Sequence, residues 1–434
     1  MRGTTNKCIE YLREVGEGGC AHAKRLHTDA RFDAWHKAAY EDEGFLDYND
    51  YFSHAYACEN KPVRALTLDE VRSRITFILR TARGSDTFLD EPIRNGSLRA
   101  LLERYLELTS TGRDAIASGI FGMAVADAVG VPAEFKNREE LRRKPVTDMV
   151  GGGAHNQAAG TWSDDTSMAL CLAFSLAEKG GIDADDIMKR FSDWYENGAY
   201  SPHGECFDIG MTVAKALGRY AQGIPAQECG GTGVQDNGNG SLMRILPLTY
   251  VLAAWYGCNL CANEEAMRYI DLISSLTHRH PISRVACGIY IHIAARLLLG
   301  DAILGAVQRG VDTALHWYSS HDGYEDGLNC WELIRDAAAF KTLPENEIRS
   351  GGYVVDTLEA ALWCLLNTEN YRDCVLKAVN LGSDTDTVAA VVGGLAGIHY
   401  GLSGIPSDWM DGLKGKKLLN DCCDRLAAFT SSLK

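Results

Sequence analysis

Two stretches of this chain set carboxylates and hydroxyls side by side at the start of an apolar helical pattern. One is Gly382-Ser383-Asp384-Thr385-Asp386-Thr387, followed by an almost wholly apolar run to Tyr400. The other is Ser163-Asp164-Asp165-Thr166, which opens a second apolar pattern from Met168 to Leu176. One Asp at a helix start is an ordinary N-cap that satisfies an unpaired backbone N–H. Two acids flanked by hydroxyls exceed that need. If the two helices are buried neighbours, four aspartates converge, and four ionised carboxylates require a cation among them. Carboxylate and hydroxyl oxygens without thiolates suit hard cations: Mg²⁺, Mn²⁺ or Ca²⁺. Asp384, Asp386 and Thr387 can crowd one helix start while Ser163, Asp164 and Asp165 approach from the other side. That is enough oxygen for two ions, which could orient a diol and activate water. The spacing of acids and glycine is not that of an EF-hand.

Other residues could serve the same chemistry. Gly230 to Gly233 and Asn237-Gly238-Asn239-Gly240-Ser241 form the most glycine-dense region and run into Leu242-Met243-Arg244. Such a loop before a helix suits a phosphate, or is a flexible connection. No Gly-Lys-Ser/Thr follows, so it is not a Walker loop. Asp127 ends a pattern from Ala115 to Gly130 that is apolar on all sides, and a buried carboxylate needs partners. Glu134 follows just after the Gly130-Val131-Pro132 turn. Thr277-His278-Arg279-His280-Pro281 separates two helical stretches; its histidines are metal ligands, polar contacts in a cleft, or exposed. A metal site beside a phosphate loop suggests a substrate with both phosphate and sugar.

The elements that must position these residues all read as helices. No segment alternates convincingly as a strand, and no βαβ rhythm or fixed repeat occurs. The fold class expected is all-α, in two parts. Residues 113–434 form the large domain that holds every motif above. Residues 1–112 form a smaller helical domain, polar and aromatic, without a chemical motif. Its helices are expected around Phe32 to Tyr40, from the Thr67 capping position through Leu79, and from Ser97 to Leu108. Glu41 to Phe52 is acidic with aromatic rings, which suits either a solvated face or a basic protein partner.

At 434 residues, two domains are the prior. The formal charge of −15 argues against general binding to nucleic acid or anionic membrane. No run reads as long and apolar enough to span a bilayer, and the first residues lack the apolar core of a signal peptide. The 14 cysteines are scattered, as expected of reduced thiols in a cytoplasmic protein. Cys258 and Cys261 form one C-x-x-C without a second pair at zinc spacing.

In order, the Ala126-Asp127 to Glu134 segment, Ser163-Asp164-Asp165-Thr166, Asn237 to Ser241, the His278 segment, Gly352-Tyr353 and Gly382 to Thr387 resemble the motifs of ADP-ribosylglycohydrolases. The likeness is to the dinitrogenase-reductase-activating and ADP-ribosylarginine hydrolase type, and covers about residues 113 to 434. It implies a compact all-α domain with two Mg²⁺ or Mn²⁺ ions and cleavage of ADP-ribose from a protein side chain, commonly arginine. Ser163, Asp164, Asp165, Asp384, Asp386 and Thr387 match metal ligands. Glu134 matches the acid near the metals and the ribose. Asn237, Gly238, Asn239, Gly240 and Ser241 match the diphosphate loop, and His278 and Tyr353 match positions near the ribose. Asp208, in a family-like Phe207-Asp208-Ile209-Gly210, could pair with a guanidinium. Asp164 or Asp165 is the candidate base. The family often has Gly in place of Ala126, a change that packing should absorb.

Residues 1–112 lie outside the resemblance. Some bacterial members look like immunity proteins against ADP-ribosyltransferase toxins, and an added segment could bind such a toxin and block it. The alternative to an enzyme is therefore a stoichiometric inhibitor whose hydrolysis is secondary. Deleting residues 1–112 separates the two: a pure hydrolase keeps its protective effect and an inhibitor loses it. Family relatives also serve as lens crystallins, against which the full set of metal-ligand residues argues.

Overall fold

The computed structural model describes residues 8–9, 11–12, 30–41, 51–63, 66, 68–81, 89–108 and 112–433. Among these, every named element is an α-helix or a short 3-10 turn, with three isolated bridges and no strand. The all-α expectation holds.

Two helices form the centre. Arg113–Gly130 and Thr385–Tyr400 are buried on nearly every side, as their unbroken apolar character requires. They run antiparallel and closer than ordinary side chains allow. A Cβ on Gly122 would lie 2.5 Å from the Gly393 carbonyl oxygen, one on Gly397 would lie 2.1 Å from that of Ser118, and one on Gly130 would lie 2.4 Å from the Asp386 Cα. The small residues thus bring the end of one helix against the acid-bearing start of the other. Ala126 faces Gly393, whose lack of a side chain leaves room for the methyl group.

The Asp164–Lys179 and Tyr371–Asn380 helices pack against both members of this pair, Lys416–Ser432 against Arg113–Gly130, and Pro281–Leu298 and Val354–Leu366 against Thr385–Tyr400. Gly180 ends the Asp164 helix in the left-handed region, φ 63°. The C-terminal segment folds as two helices, Ser407–Gly412 and Lys416–Ser432, with Gly415 at φ 62° between them. One sequence expectation needs correction. Arg113–Ala133 is long and apolar enough by composition to cross a membrane, but 94% of its apolar window is buried inside the protein.

Apolar side chains of the N-terminal region form their own cluster around Phe32, Trp35, Val71, Ile75, Leu98 and Leu102. Leu299 and Cys258 join it from the larger part. Across the same contact, buried Asp301 accepts from Arg72 (2.9 Å) and from Arg296 (2.5 Å) and Arg309 (2.6 Å). The expected helices appear as Ala30–Glu41, Leu68–Thr81 and Ser97–Leu108. Residues 42–50 of the acidic aromatic stretch lie outside the described residues.

Candidate active site

Asp127 explains its own burial. Its carboxylate accepts from the Ser163 N–H (2.9 and 3.0 Å), the Thr166 N–H (3.2 Å) and the Thr166 hydroxyl (2.6 Å). Burial pushes its pKa up to about 7 against these donors. It is thus a cap supplied from a neighbouring helix, and it fixes the turn that displays Ser163, Asp164 and Asp165. The Ser163 hydroxyl (2.9 Å) and the Thr387 hydroxyl (3.3 Å) both reach Asp165 Oδ2. Asp165 Oδ1 is buried with no partner.

The second acidic turn is held as firmly. Ser383 sits at φ 70°, its N–H on the Lys136 carbonyl (2.8 Å), and the Asp384 N–H donates to the Ser350 carbonyl (3.1 Å). Thr385 donates to the Gly130 carbonyl at 2.8 Å. Asn239 donates to Asp384 Oδ2 at 2.8 Å, linking the glycine-rich loop to the acids.

Carboxylate oxygens of Asp127, Asp165 and Asp386 lie within 4.8 Å of one another, as do those of Glu134, Asp384 and Asp386. Asp127 is already occupied by four donor contacts, so the free oxygens of the first group belong to Asp165 and Asp386. Burial, and then neighbouring carboxylates, push Asp164, Asp165 and Asp386 well above the usual carboxylate range. An orphaned buried oxygen, an all-oxygen donor set and mutually repelling acids are what a hard divalent cation satisfies. The residues present fit a metal site.

Glu134 faces the same point from the turn after the first central helix. Burial, and then Asp208, Asp384 and Asp164, raise its pKa to about 9. Its Oε2 is 2.5 Å from His155 Nε2, and His155 lies 3.9 Å from Asp208 Oδ2. Sequence reasoning passed over His155. It is delivered by a small hairpin in which Gly152 and Gln157 exchange backbone bonds of 2.7 and 3.2 Å, and Gly153 packs against Pro132. The available signal was a titratable residue just after the Gly151-Gly152-Gly153 run. Phe135 is exposed at φ 66°, a strained value for an aromatic residue, and its ring lies 5.8 Å from that of His155.

A cavity of about 400 Å³ opens over the acids. Glu134, Asp164, Asp208, Asp384 and Thr387 line it together with Gly238, Asn239, Gly240 and His278. Ser163, Asp165 and Asp386 lie buried beneath it. Asn237 and Ser241 turn inward: Asn237 Oδ1 accepts from Ser283 (2.9 Å) and Ser241 from Ser274 (3.1 Å), so they brace the loop. Tyr353 meets the loop by its backbone, where the Val354 N–H reaches the Asn237 carbonyl (3.0 Å). Its ring points to Cys330, not into the cavity. His278 is buried with Nδ1 on the Thr277 hydroxyl (2.7 Å), and burial and then Arg244 lower its pKa to about 3, so it is neutral at physiological pH.

The family model of ADP-ribosylglycohydrolases matches residues 108–432. The chain belongs to the ADP-ribosylglycohydrolase family. It is 35% identical over 317 residues to the ADP-ribosylarginine hydrolase Tri1 of Serratia proteamaculans, covering 73% of this chain and 80% of that relative. It is 29% identical over 308 residues to the ADP-ribosyl-[dinitrogen reductase] glycohydrolase of Rhodospirillum rubrum, covering 70% and 91%. A solved ADP-ribosylglycohydrolase-related protein complex matches with a TM-score of 0.56 at 30% identity, over 73% of this chain and 98% of that one. Members of this ADP-ribosylglycohydrolase family are metal-dependent, and this chain has acid clusters that could hold a metal.

Proposed function

We propose that this ADP-ribosylglycohydrolase releases ADP-ribose from modified arginine side chains, using two Mg²⁺ or Mn²⁺ ions held by Ser163, Asp164, Asp165, Asp384, Asp386 and Thr387. The observation that carries the reading is the meeting of two acid-bearing helix starts at a cavity that Gly238, Asn239 and Gly240 also line. The names of its relatives support arginine as the acceptor.

Bound divalent ions would supply Lewis-acid stabilisation of charge on the ribose oxygens and a template for the diol. The remaining work falls to the chain. Gly238, Asn239 and Gly240 offer a narrow glycine wall for the diphosphate. Of the two candidate bases, Asp164 faces the cavity and Asp165 does not. Asp164 therefore takes the proton from the attacking water as its oxygen bonds to C1″. The C1″–N bond breaks, and that proton passes to the departing guanidine nitrogen. Glu134 and Asp208 face the positive charge that develops on the sugar and hold the guanidinium of the acceptor. The test compares arginine-linked and serine-linked ADP-ribosyl proteins with wild type and Asp208→Asn. Selective loss on the arginine substrate supports the assignment; equal loss on both removes Asp208 from acceptor recognition. The compartment proposed is the reducing cytoplasm, a reading that the many cysteines support.

The finer partner reading concerns the N-terminal region, which lies outside the family match. Phe52 and Tyr56, each 55% exposed, pack on one another at 4.9 Å and on Phe77 at 5.8 Å into an exposed aromatic patch. Such a patch suits a protein contact, and a cognate ADP-ribosyltransferase toxin is the partner proposed. The reading requires that Phe52→Ser with Tyr56→Ser abolish toxin inhibition by an Asp384→Ala protein. Inhibition that survives this change would place the contact elsewhere.

A further inference from the structure

Arg244 is fully buried, yet no carboxylate pairs with it among the described residues. Its guanidinium donates to two backbone carbonyls, those of Gly240 and Ile273 (the latter at 3.2 Å), and lies 4.9 Å over the Phe191 ring. Its Nε has no partner. A buried cation held only by neutral groups is costly unless a counter-charge arrives from elsewhere. Arg72 and Arg296, by contrast, have Asp301. The place where a counter-charge could arrive is one peptide away. Gly240, whose carbonyl Arg244 grips, lines the cavity, and so do Met243 and His278 beside it.

Resting on the reading of the cavity as an ADP-ribose site, we propose that Arg244 is the positioning residue for the diphosphate. It acts through Gly240: it fixes the glycine wall and projects an uncompensated positive charge through it. The free protein thus holds a cation whose anion is the substrate. Neutral His278 beside the loop adds no competing charge. Glycine at 240 is required for this, because a Cβ there would lie 2.9 Å from both the His278 ring and Val213.

The experiment measures the inhibition constant of ADP-ribose, with the KM and kcat of hydrolysis, for full-length wild type, Arg244→Lys and Arg244→Met. Lys and Met have similar unbranched stems, and neither can span both carbonyls, so charge separates them. A unit charge on the order of 10 Å from a phosphate, at an effective dielectric constant of about 20, alters binding on the order of 10-fold. The expected result is an inhibition constant and KM raised about that much in Arg244→Met, with kcat little changed and most of the loss recovered in Arg244→Lys. Equal losses in Lys and Met, or none in Met, overturn the proposal and make Arg244 a packing residue. If Arg244→Met does not fold, Arg244→Gln supplies the neutral member of the comparison. Wild type that fails to bind ADP-ribose at all defeats the functional reading itself, and this inference with it.

Discussion

Gly130→Ala tests whether the close approach of the two central helices places the metal-binding acids. Gly130 has ordinary helical angles, φ −77° and ψ −41°, so alanine carries no backbone strain there. Space is the difficulty. The new Cβ would lie 2.4 Å from the Asp386 Cα, 2.6 Å from the Thr385 carbonyl oxygen and 2.7 Å from the Asp386 nitrogen. All three are backbone atoms, so no side chain can swing aside. Restoring van der Waals contact requires the start of the Thr385–Tyr400 helix to move by about 1 Å, carrying Asp384, Asp386 and Thr387 with it. Overpacking of this kind costs about 1–3 kcal/mol of stability. A misplacement of about 1 Å at a reacting site costs on the order of 100-fold in rate. The assay is a metal titration of turnover together with thermal unfolding. The expected result is a modest fall in Tm with a large loss of kcat and a raised metal requirement. Gly181→Ala is the control, since nothing lies within 4 Å of that position and activity should be unchanged. Wild-type turnover and metal affinity in Gly130→Ala would refute the argument that glycine packing positions the acids.

His155→Ala removes the ring whose Nε2 lies 2.5 Å from Glu134 Oε2. Leaving a buried carboxyl without its hydrogen-bond partner costs about 1–3 kcal/mol, so kcat should fall roughly 10- to 100-fold, and His155→Gln, which can still hydrogen-bond, should recover part of it. Equal activity in all three proteins would leave His155 without a role. Glu359→Gln addresses pH. Burial, and then repulsion from Asp356, raise the Glu359 carboxyl from 4.5 to about 7. The fold therefore holds a proton that the unfolded chain releases, and its stability is eroded as pH rises from 4.5 through about 7. Gln removes this cost, so Tm should rise at pH 8 by the equivalent of up to about 3 kcal/mol and stay unchanged at pH 4. A gain of the same size at both pH values would mean that the effect is not protonic.

The parts of the site legible in the sequence were those carried by local pattern. Ser163-Asp164-Asp165 and Asp384-x-Asp386 stood out because two acids exceed the needs of one N-cap, and the apolar runs behind them announced buried helices. The wholly apolar stretch before Asp127 likewise marked the core, though it passes a composition test for a membrane span that only its packing answers. Side-chain direction was not legible. Asn237, Ser241 and Tyr353 sit in the expected segments, but Asn237 and Ser241 brace the loop from behind and the Tyr353 ring lies against Cys330. Nothing local distinguishes a loop residue facing a cavity from one facing the core. His155 was missed because its partners, Glu134 and Asp208, are brought together only by the fold. The partners of Asp127, and the grip of Arg244 on the carbonyls of Gly240 and Ile273, likewise depend on how helices meet.

The most direct test of the central claim is release of ADP-ribose from an arginine-ADP-ribosylated protein, measured for wild type and Asp384→Ala with Mg²⁺ or Mn²⁺ and with EDTA. The account predicts release by wild type that divalent metal supports and EDTA stops, and no release by Asp384→Ala under any condition. Release that survives EDTA, or that persists in Asp384→Ala, would contradict it.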